Sequence, residues 1–365
     1  MNTYIRYSIL SFFVIFCGCS INGEPRPRLG SYATNTIGTN FIDDKILGNH
    51  SFSNAWGENN GIVYTCRGGH IDIAHVRIAA DYTRYLSQKV KCTIDCKNTN
   101  LSFRLNVEPS TYFVTLTYPE NWDTLTAQQK EEISREVSLE LGAYFTYIMT
   151  TWHEVLTWFG YKCMMVVPEN PSAFSWEDIY SNLMGIRLST KVMSENMPDY
   201  DKALTNMLLY ELQNLGIQSR ETAREASEEM RNKWYTGITL VDMKFRNIDI
   251  GLDDGFVTPA VVEGICPNVT VKSYPIPTIE KFKGYGFELD LEIEPKEFEK
   301  DKILDIIYLN KDNCRIIPVK HLPLLVDFIK EQEIGKGNTV SPQNPVITAG
   351  HSYQLQSQSK GSVKN

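Results

Sequence analysis

The sequence predicts an α+β protein in which a helical half is followed by a β-rich half. The first observation is a long, uninterrupted helical pattern between Thr126 and Gly160, with shorter amphipathic stretches on both sides of it. The second is a change of pattern after Thr236, where segments such as GITLVDMKF and GFELDLEIEP alternate or are β-branched, as is typical of strands. We therefore expect helices to dominate before Thr236 and strands to dominate after it.

The elements of the first half follow in chain order from apolar spacing and from caps. A helix is expected over residues 71–88, and two short strands are expected within residues 89–116. The long helix begins with the capping-box pattern of Thr126 and Gln129, and Gly160 marks its end.

The next helix is predicted to begin at a second capping box, formed by Ser175 and Asp178. Glu177 and Asp178 are then explained as acidic residues in its first turn, where they complement the helix dipole. Further helices are expected over residues 201–215, 220–235 and 324–332.

The expected domain organisation is simple. Residues 1–18 are predicted to be a signal peptide, and residues 19–60, rich in Gly, Asn, Pro and Ser, to be a tether and irregular segment. A single α+β domain is expected over residues 61–334, with 61–235 helical and 236–334 β-rich. The polar tail at 335–365 has few large apolar residues and is predicted to be disordered.

The N-terminus carries a targeting signal. Arg6 precedes an apolar run from Ile9 to Phe16, which is too short to span a bilayer but suits a signal peptide. The following Phe16-Cys17-Gly18-Cys19 resembles a bacterial lipobox. We expect Cys19 to be acylated, by palmitate or a similar chain, and to anchor the protein to a lipid bilayer in the bacterial cell envelope. Ser20 after it favours the outer membrane. An ordinary cleaved secretory signal is the alternative.

The charge balance argues against a nucleic-acid partner. The chain has 36 Lys and Arg against 44 Asp and Glu, a net charge of -8, and it contains no basic cluster. A component of the envelope is a more suitable partner.

Outside the signal region the chain has an even set of six cysteines, which in an oxidising compartment favours disulfides among 15 possible pairings. Cys92 and Cys96 lie close together in the sequence, and we predict a local bridge between them. As a metal signal this pair is weak, because no second pair accompanies it.

Four stretches, PRPRLGSYA, GGHIDIAHVRIAADYT, TWHEVLTWFGY and SAFSWEDIYSNLMGIRL, resemble an uncharacterised family of bacterial lipoproteins that is classed as a domain of unknown function. The resemblance runs from about Arg26 to the last helix. It implies a lipoprotein, and it supplies no catalytic residue to carry over.

The first helix contains a polar pair on its apolar side. At about 100° per residue, His75 lies within the apolar stripe that includes Ile71, and Asp72 lies at the margin of the stripe. His70 is expected either on the solvated side of the helix or in the turn before it. A histidine that faces the core needs partners for both ring nitrogens. The pair is therefore either a hydrogen-bonded core histidine with its carboxylate, or a metal ligand or general base. Arg77, Asp81 and Arg84 lie on the opposite, solvated face.

The long helix contains a second polar pair, His153 and Glu154. It is not an HExxH motif, because Thr157 occupies the position of the second histidine. If the two helices bring Asp72, His75, His153 and Glu154 together, these side chains suit zinc or another divalent metal ion.

Two functions follow from these residues. The first is a hydrolase that acts on an envelope substrate, with His75 as base or ligand and Glu154 as acid or ligand. The second is a non-catalytic binding or structural lipoprotein in which the same residues organise the core.

Overall fold

Three long helices form the centre of the molecule. In the computed structural model, which describes residues 23–163, 167–168, 172–308 and 314–341, α1 (Ile73–Asp95) packs against both α2 (Ala127–Trp158) and α3 (Asp178–Ser194). The predicted signal peptide with Cys19 and most of the predicted polar tail lie outside the described residues.

The remaining helices are shorter and lie around this centre. They are α4 (Tyr200–Asn214), α5 (Arg220–Glu229), α6 (Glu280–Gly284), α7 (Lys300–Ile307) and α8 (Pro318–Gly335).

Most strands are short and pair locally. They are β1 (Ile62–Thr65), β2 (Gly69–Asp72), β3 (Asn100–Phe103), β4 (Thr111–Thr117), β5 (Lys162–Cys163), β6 (Val167–Pro168), β7 (Tyr235–Thr236), β8 (Asp242–Met243), β9 (Phe245–Arg246), β10 (Phe256–Val257), β11 (Tyr274–Pro275), β12 (Glu288–Glu294) and β13 (Thr339–Val340). The largest sheet has the order β12-β4-β3 and is antiparallel throughout. A helical first half and a more strand-rich second half confirm the predicted α+β class.

The caps explain where the central helices begin. The side chain of Thr126 accepts the N–H of Gln129, and Gln129 in turn accepts the N–H of Thr126 at 2.9 Å, so the predicted capping box is confirmed. The second predicted capping box, at Ser175 and Asp178, does not form the start of a helix. Ser175 instead forms a turn with Asp178, to whose carboxylate its N–H donates at 3.0 Å, and α3 begins only at Asp178.

The first helix also begins later than predicted. The residues from Gly69 to Asp72 pair with β1 as strand β2, and Asp72 is the N-cap of α1, accepting the N–H of Ala74 at 2.7 Å. The chain thus changes from strand to helix at the residue that the helical wheel placed beside His75. Helical spacing still relates the two residues, because the N-cap Asp72 lies about one helical turn before His75.

Glycines allow the three central helices to approach closely. A Cβ atom at Gly142 of α2 would lie 2.7 Å from the backbone nitrogen of Ser87 in α1. A Cβ atom at Gly185 of α3 would lie 2.9 Å from the carbonyl carbon of Val76 in α1. Both distances are shorter than side-chain contacts allow, so the packing of α1 requires glycine at each position.

The outer face of α1 is buried, and the prediction of a solvated face was wrong for Arg77 and Asp81. These side chains are 1% and 0% exposed. Arg77 donates to the carbonyl oxygens of Leu47 and Asn59, and Asp81 accepts from Arg28 at 2.7 Å. The segment from residue 24 to 60, in which no helix is described, therefore covers this face of α1 and supplies partners for its charges.

The structure forms a disulfide between Cys66 and Cys266, 200 residues apart. Cys92 and Cys96, for which we predicted a local bridge, are thiols in the last turn of α1 and at its C-cap. Residues four apart in a helix have Cβ atoms about 5–6 Å apart, whereas a disulfide needs about 3.5–4.5 Å. The helical geometry of this pair therefore keeps the two Cβ atoms too far apart for the predicted bridge.

Among the described residues, none of the helices combines the length and apolar character required to cross a membrane.

Candidate functional site

The first part of the site is the pair of Asp72 and His75 at the start of α1. Nδ1 of His75 lies 2.8 Å from Oδ2 of Asp72, and the same carboxylate accepts the N–H of Ser31 at 2.7 Å. The side chain of Asp72 is fully buried, whereas that of His75 is 19% exposed. The carboxylate thus fixes the ring from the inside and leaves Nε2 of His75 for another partner.

Gly30 lies directly against this pair. A Cβ atom at Gly30 would lie 2.7 Å from Cε1 of His75 and 3.1 Å from Oδ2 of Asp72. Only glycine lets the N-terminal segment approach the imidazole so closely. The segment that covers α1 is therefore also a wall of the site.

Glu177 and Asp178 extend the site from the start of α3. Oδ1 of Asp178 lies 3.8 Å from Nδ1 of His75. Glu177 accepts the N–H of Ala33 and the hydroxyl of Ser175, both at 2.6 Å. Asp178 lies in the first turn of α3 as predicted, and Glu177 is its N-cap residue. Helix-dipole compensation does not account for the burial of both side chains or for the position of Asp178 near His75.

The acidity of these two carboxyl groups is weakened. Burial raises the pKa of Glu177 to about 7, and the charge of Asp72 acts in the same direction against the hydrogen bond from Ser175. Burial, followed by the charges of Glu154 and Glu177, raises the pKa of Asp178 well above its ordinary value.

The second imidazole–carboxylate pair is His153 and Glu108. Nδ1 of His153 contacts Oε1 of Glu108. The carboxylate belongs to the loop between β3 and β4 and is fully buried, while the side chain of His153 is 24% exposed. Oε2 of Glu108 is buried without a hydrogen-bond partner in the described part of the chain. Burial raises the pKa of Glu108, and the charge of His153 opposes this without cancelling it.

Glu154 acts electrostatically on a member of each pair, His75 and Glu108. Its side chain is buried, and Oε2 accepts the N–H of Phe174 at 2.7 Å. Phe174 has φ +52°, an uncommon conformation for a bulky residue. Such strain is often found next to functional groups, and here it accompanies the hydrogen bond that fixes Glu154.

The pKa of His75 depends on charged groups from both pairs. Burial lowers the pKa of His75, but the charge and hydrogen bond of Asp72 and the charge of Glu154 outweigh burial, so the pKa is raised. The charge of His153 acts on His75 in the opposite direction. The other three residues singled out in the sequence, Asp72, His153 and Glu154, therefore all act electrostatically on His75.

The arrangement does not amount to a metal centre. Within the described ranges, no three His, Cys, Asp or Glu side chains take positions that could hold a metal ion. The divalent metal expected from these four residues stays a prediction.

His70, expected from the sequence on the solvated side of the helix or in the turn before it, is a core residue of β2. It is 1% exposed, its Nε2 lies 3.0 Å from the carbonyl oxygen of Ala223, and Nδ1 accepts from Trp176. Burial lowers its pKa to about 4. His70 is thus a neutral structural histidine outside the site.

Glu108 and the contact of Asp178 with His75 could not be predicted from the sequence. No local pattern marks Glu108, because its role depends on a contact with a histidine 45 residues later. Asp178 does stand out in the sequence as one of two adjacent acidic residues. Their position at the start of a helix explains both acids without a functional role.

Residues 32–250 match the family described as protein of unknown function (DUF4056). This range is more than half of the 365 residues and includes all of the site residues named above except Gly30 and Ser31. The chain belongs to this family. Neither a curated protein nor a solved structure matches the chain significantly. The family gives no activity, so the function has to be argued from the site itself.

Proposed function

We propose that the site is the acid–base centre of a hydrolase. The observation that carries the proposal is the pairing of two partly exposed histidines, His75 and His153, with buried carboxylates on their Nδ1 atoms. A carboxylate on one ring nitrogen fixes the tautomer and presents the other nitrogen for proton transfer. Two such imidazoles, of which His153 acts electrostatically on His75, would supply a proton acceptor and a proton donor.

Each residue then has a role. Nε2 of His75 accepts the proton of the attacking water, and Asp72 and Glu154 stabilise the imidazolium that forms, since both favour the charged ring. His153, held by Glu108, donates a proton to the leaving group. In this proposal Glu154 acts on His75 by its charge, in place of the role of acid or ligand expected from the sequence.

The substrate is proposed to be a component of the bacterial envelope. This rests on the lipobox sequence that ends at Cys19. The disulfide between Cys66 and Cys266 supports it, because structural disulfides are typical of proteins outside the reducing cytoplasm. We expect Cys19→Ala to release the protein from membranes or to leave its signal peptide uncleaved, as measured by fractionation and intact mass. Normal processing and retention of this variant would contradict the anchor.

A non-catalytic role has one specific observation in its favour. The carboxylates of Glu154, Glu177 and Asp178 all accept backbone N–H groups, from Phe174, Ala33 and Ser175 respectively. Such bonds fix two loops on the helix core whether or not a substrate binds. On this alternative, the site residues stabilise the protein and do nothing else.

The test is turnover of isolated envelope fractions. Purified protein is incubated separately with cell-wall, lipid and glycan fractions, and the released products are identified by mass spectrometry. We expect products with the wild type, none with His75→Ala, and strongly reduced amounts with Glu154→Gln. Glu132→Gln, an exposed position on the same helix, is the matched control and should behave as wild type. Folded His75→Ala with undiminished product formation would overturn the proposal.

A further inference from the structure

The N-terminal segment is fixed to the protein body immediately after the proposed anchor. Arg26 forms an ion pair with Glu58, and Arg28 donates to Glu58 at 2.9 Å and to the carbonyl oxygen of Ser51 at 3.0 Å. The Arg28 and Glu58 side chains are 0% and 2% exposed. Burial alone would raise the pKa of Glu58, but the hydrogen bond and charge of Arg28 lower it to about 2. The clamp formed by Arg26, Arg28 and Glu58 is therefore a firm attachment.

The clamp leaves little chain between the lipid and the folded body. Arg26 lies seven positions after Cys19, with six residues between them, and a fully extended chain spans at most about 3.6 Å per residue. The clamp thus cannot move further than about 25 Å from the site of acylation. A lipid-anchored protein with such a short connection presents the surface around its clamp to the membrane.

The surface around the clamp carries large apolar side chains. Leu29 and Trp56 are each 88% exposed, and they lie within two residues of Arg28 and Glu58 along the chain. Trp56 belongs to the loop 53–57, whose five residues are all exposed. Residues 46–57 contain no Asp, Glu, Lys or Arg, although such residues make up 22% of the chain. An uncharged loop with an exposed tryptophan is suited to the membrane–water interface, where tryptophan is enriched.

We infer that this surface, formed by Leu29 and the loop 53–57, docks on the lipid bilayer to which Cys19 is anchored. The inference rests on the proposed anchor and adds an orientation to it. Because Gly30 and Ser31 touch the Asp72–His75 pair directly after Leu29, the docked surface holds the candidate site close to the membrane. The occupant of the surface is lipid, not a second protein.

The fluorescence of Trp56 tests this orientation. All six tryptophans lie in the described residues, and Trp56 is the only one that is exposed. The acylated full-length protein is reconstituted into phosphatidylcholine vesicles with and without brominated acyl chains, which quench only nearby indoles. We expect quenching in the wild type and loss of most of it in Trp56→Phe. Leu240→Glu, at a residue that is 86% exposed outside this surface, is the matched control and should be quenched as in wild type.

The outcomes separate the docking surface from the anchor. Vesicle flotation and intact mass report acylation and membrane attachment, while quenching reports the orientation of the surface. A protein that floats with the vesicles but whose Trp56 is not quenched would overturn the docking surface and leave the anchor in place. A protein that is not acylated and does not float would overturn the anchor, and the docking inference with it.

Discussion

His75 is held in place by the fold and is still exposed enough to react. Its backbone lies in the first turn of α1, one nitrogen is bound to a buried carboxylate, and part of the ring remains exposed. A histidine with only a core role, such as His70, is buried completely and has partners for both nitrogens. The contrast between the two residues supports the proposed role of His75 in proton transfer.

Helical spacing identified part of this site. Asp72 and His75 were found from the sequence because a period of 3.6 residues relates positions three apart, even though Asp72 is the N-cap rather than part of the helix. Glu108 was not found, because the contact that gives it a role is not local. A helical wheel compares residues of one helix only, so it cannot identify a partner such as Glu108 that lies on a loop.

The carboxyl group of Glu177 makes stability depend on pH. Its pKa is raised from 4.5 to about 7 by burial, so between these values the folded protein holds a proton that the unfolded chain has released. The free energy of unfolding should therefore fall as the pH rises from 4.5 to 7. Glu177→Gln removes this titration while its amide oxygen can still accept the N–H of Ala33.

We expect the fall over this range to be smaller in Glu177→Gln by at most about 3 kcal/mol, measured by denaturant unfolding at several pH values. Glu132→Gln, which removes an exposed charge from α2, controls for the change in net charge. Identical pH dependence in wild type and Glu177→Gln would show that Glu177 ionises normally in the folded state.

At the level of elements, the crossing of α1 and α2 depends on one glycine. A Cβ atom at Gly142 would lie 2.7 Å from the nitrogen and 2.8 Å from the Cα atom of Ser87. These are backbone atoms, so no rotamer change relieves the clash. Gly142→Ala should separate the helices and lower the free energy of unfolding by about 1–3 kcal/mol, despite the higher helix propensity of alanine.

The control is Gly335→Ala at the end of α8, where a Cβ atom would meet nothing within 4 Å. This variant should be as stable as wild type or slightly more stable. Thermal and denaturant unfolding compare the two. Equal stability of Gly142→Ala and Gly335→Ala would mean that the close crossing does not exist in solution.

The elements could be predicted to different degrees for physical reasons. The start and end of α2 were correct because a capping box and a positive-φ glycine are local signals, seen at Thr126 and Gly160. The burial of Arg77 and Asp81 could not be predicted, because their partners come from the segment that precedes β1. Charged residues at helical spacing look solvated until the chain that covers them is known.

At the scale of the whole molecule, the disulfide between Cys66 and Cys266 links two distant parts of the chain. Cys66 follows β1 and Cys266 lies in the strand-rich half, 200 residues away. Closing so long a loop restricts the unfolded chain, and we expect replacement of both cysteines by alanine to lower the free energy of unfolding by up to about 5 kcal/mol. Cys314→Ala, at an exposed cysteine, is the control and should change stability little. A double variant as stable as wild type would contradict a structural role for the bridge.

The central claim is that His75 and Glu154 share one site between α1 and α2. The most direct measurement is the pKa of His75, obtained by NMR titration of the imidazole in wild type and in Glu154→Gln. Because the charge of Glu154 favours the protonated ring, the pKa of His75 should be lower in Glu154→Gln. It should not change in Glu132→Gln, whose position on α2 is 22 residues from Glu154, about 33 Å along the axis. An unchanged pKa of His75 in folded Glu154→Gln would mean that the two side chains do not face a common site.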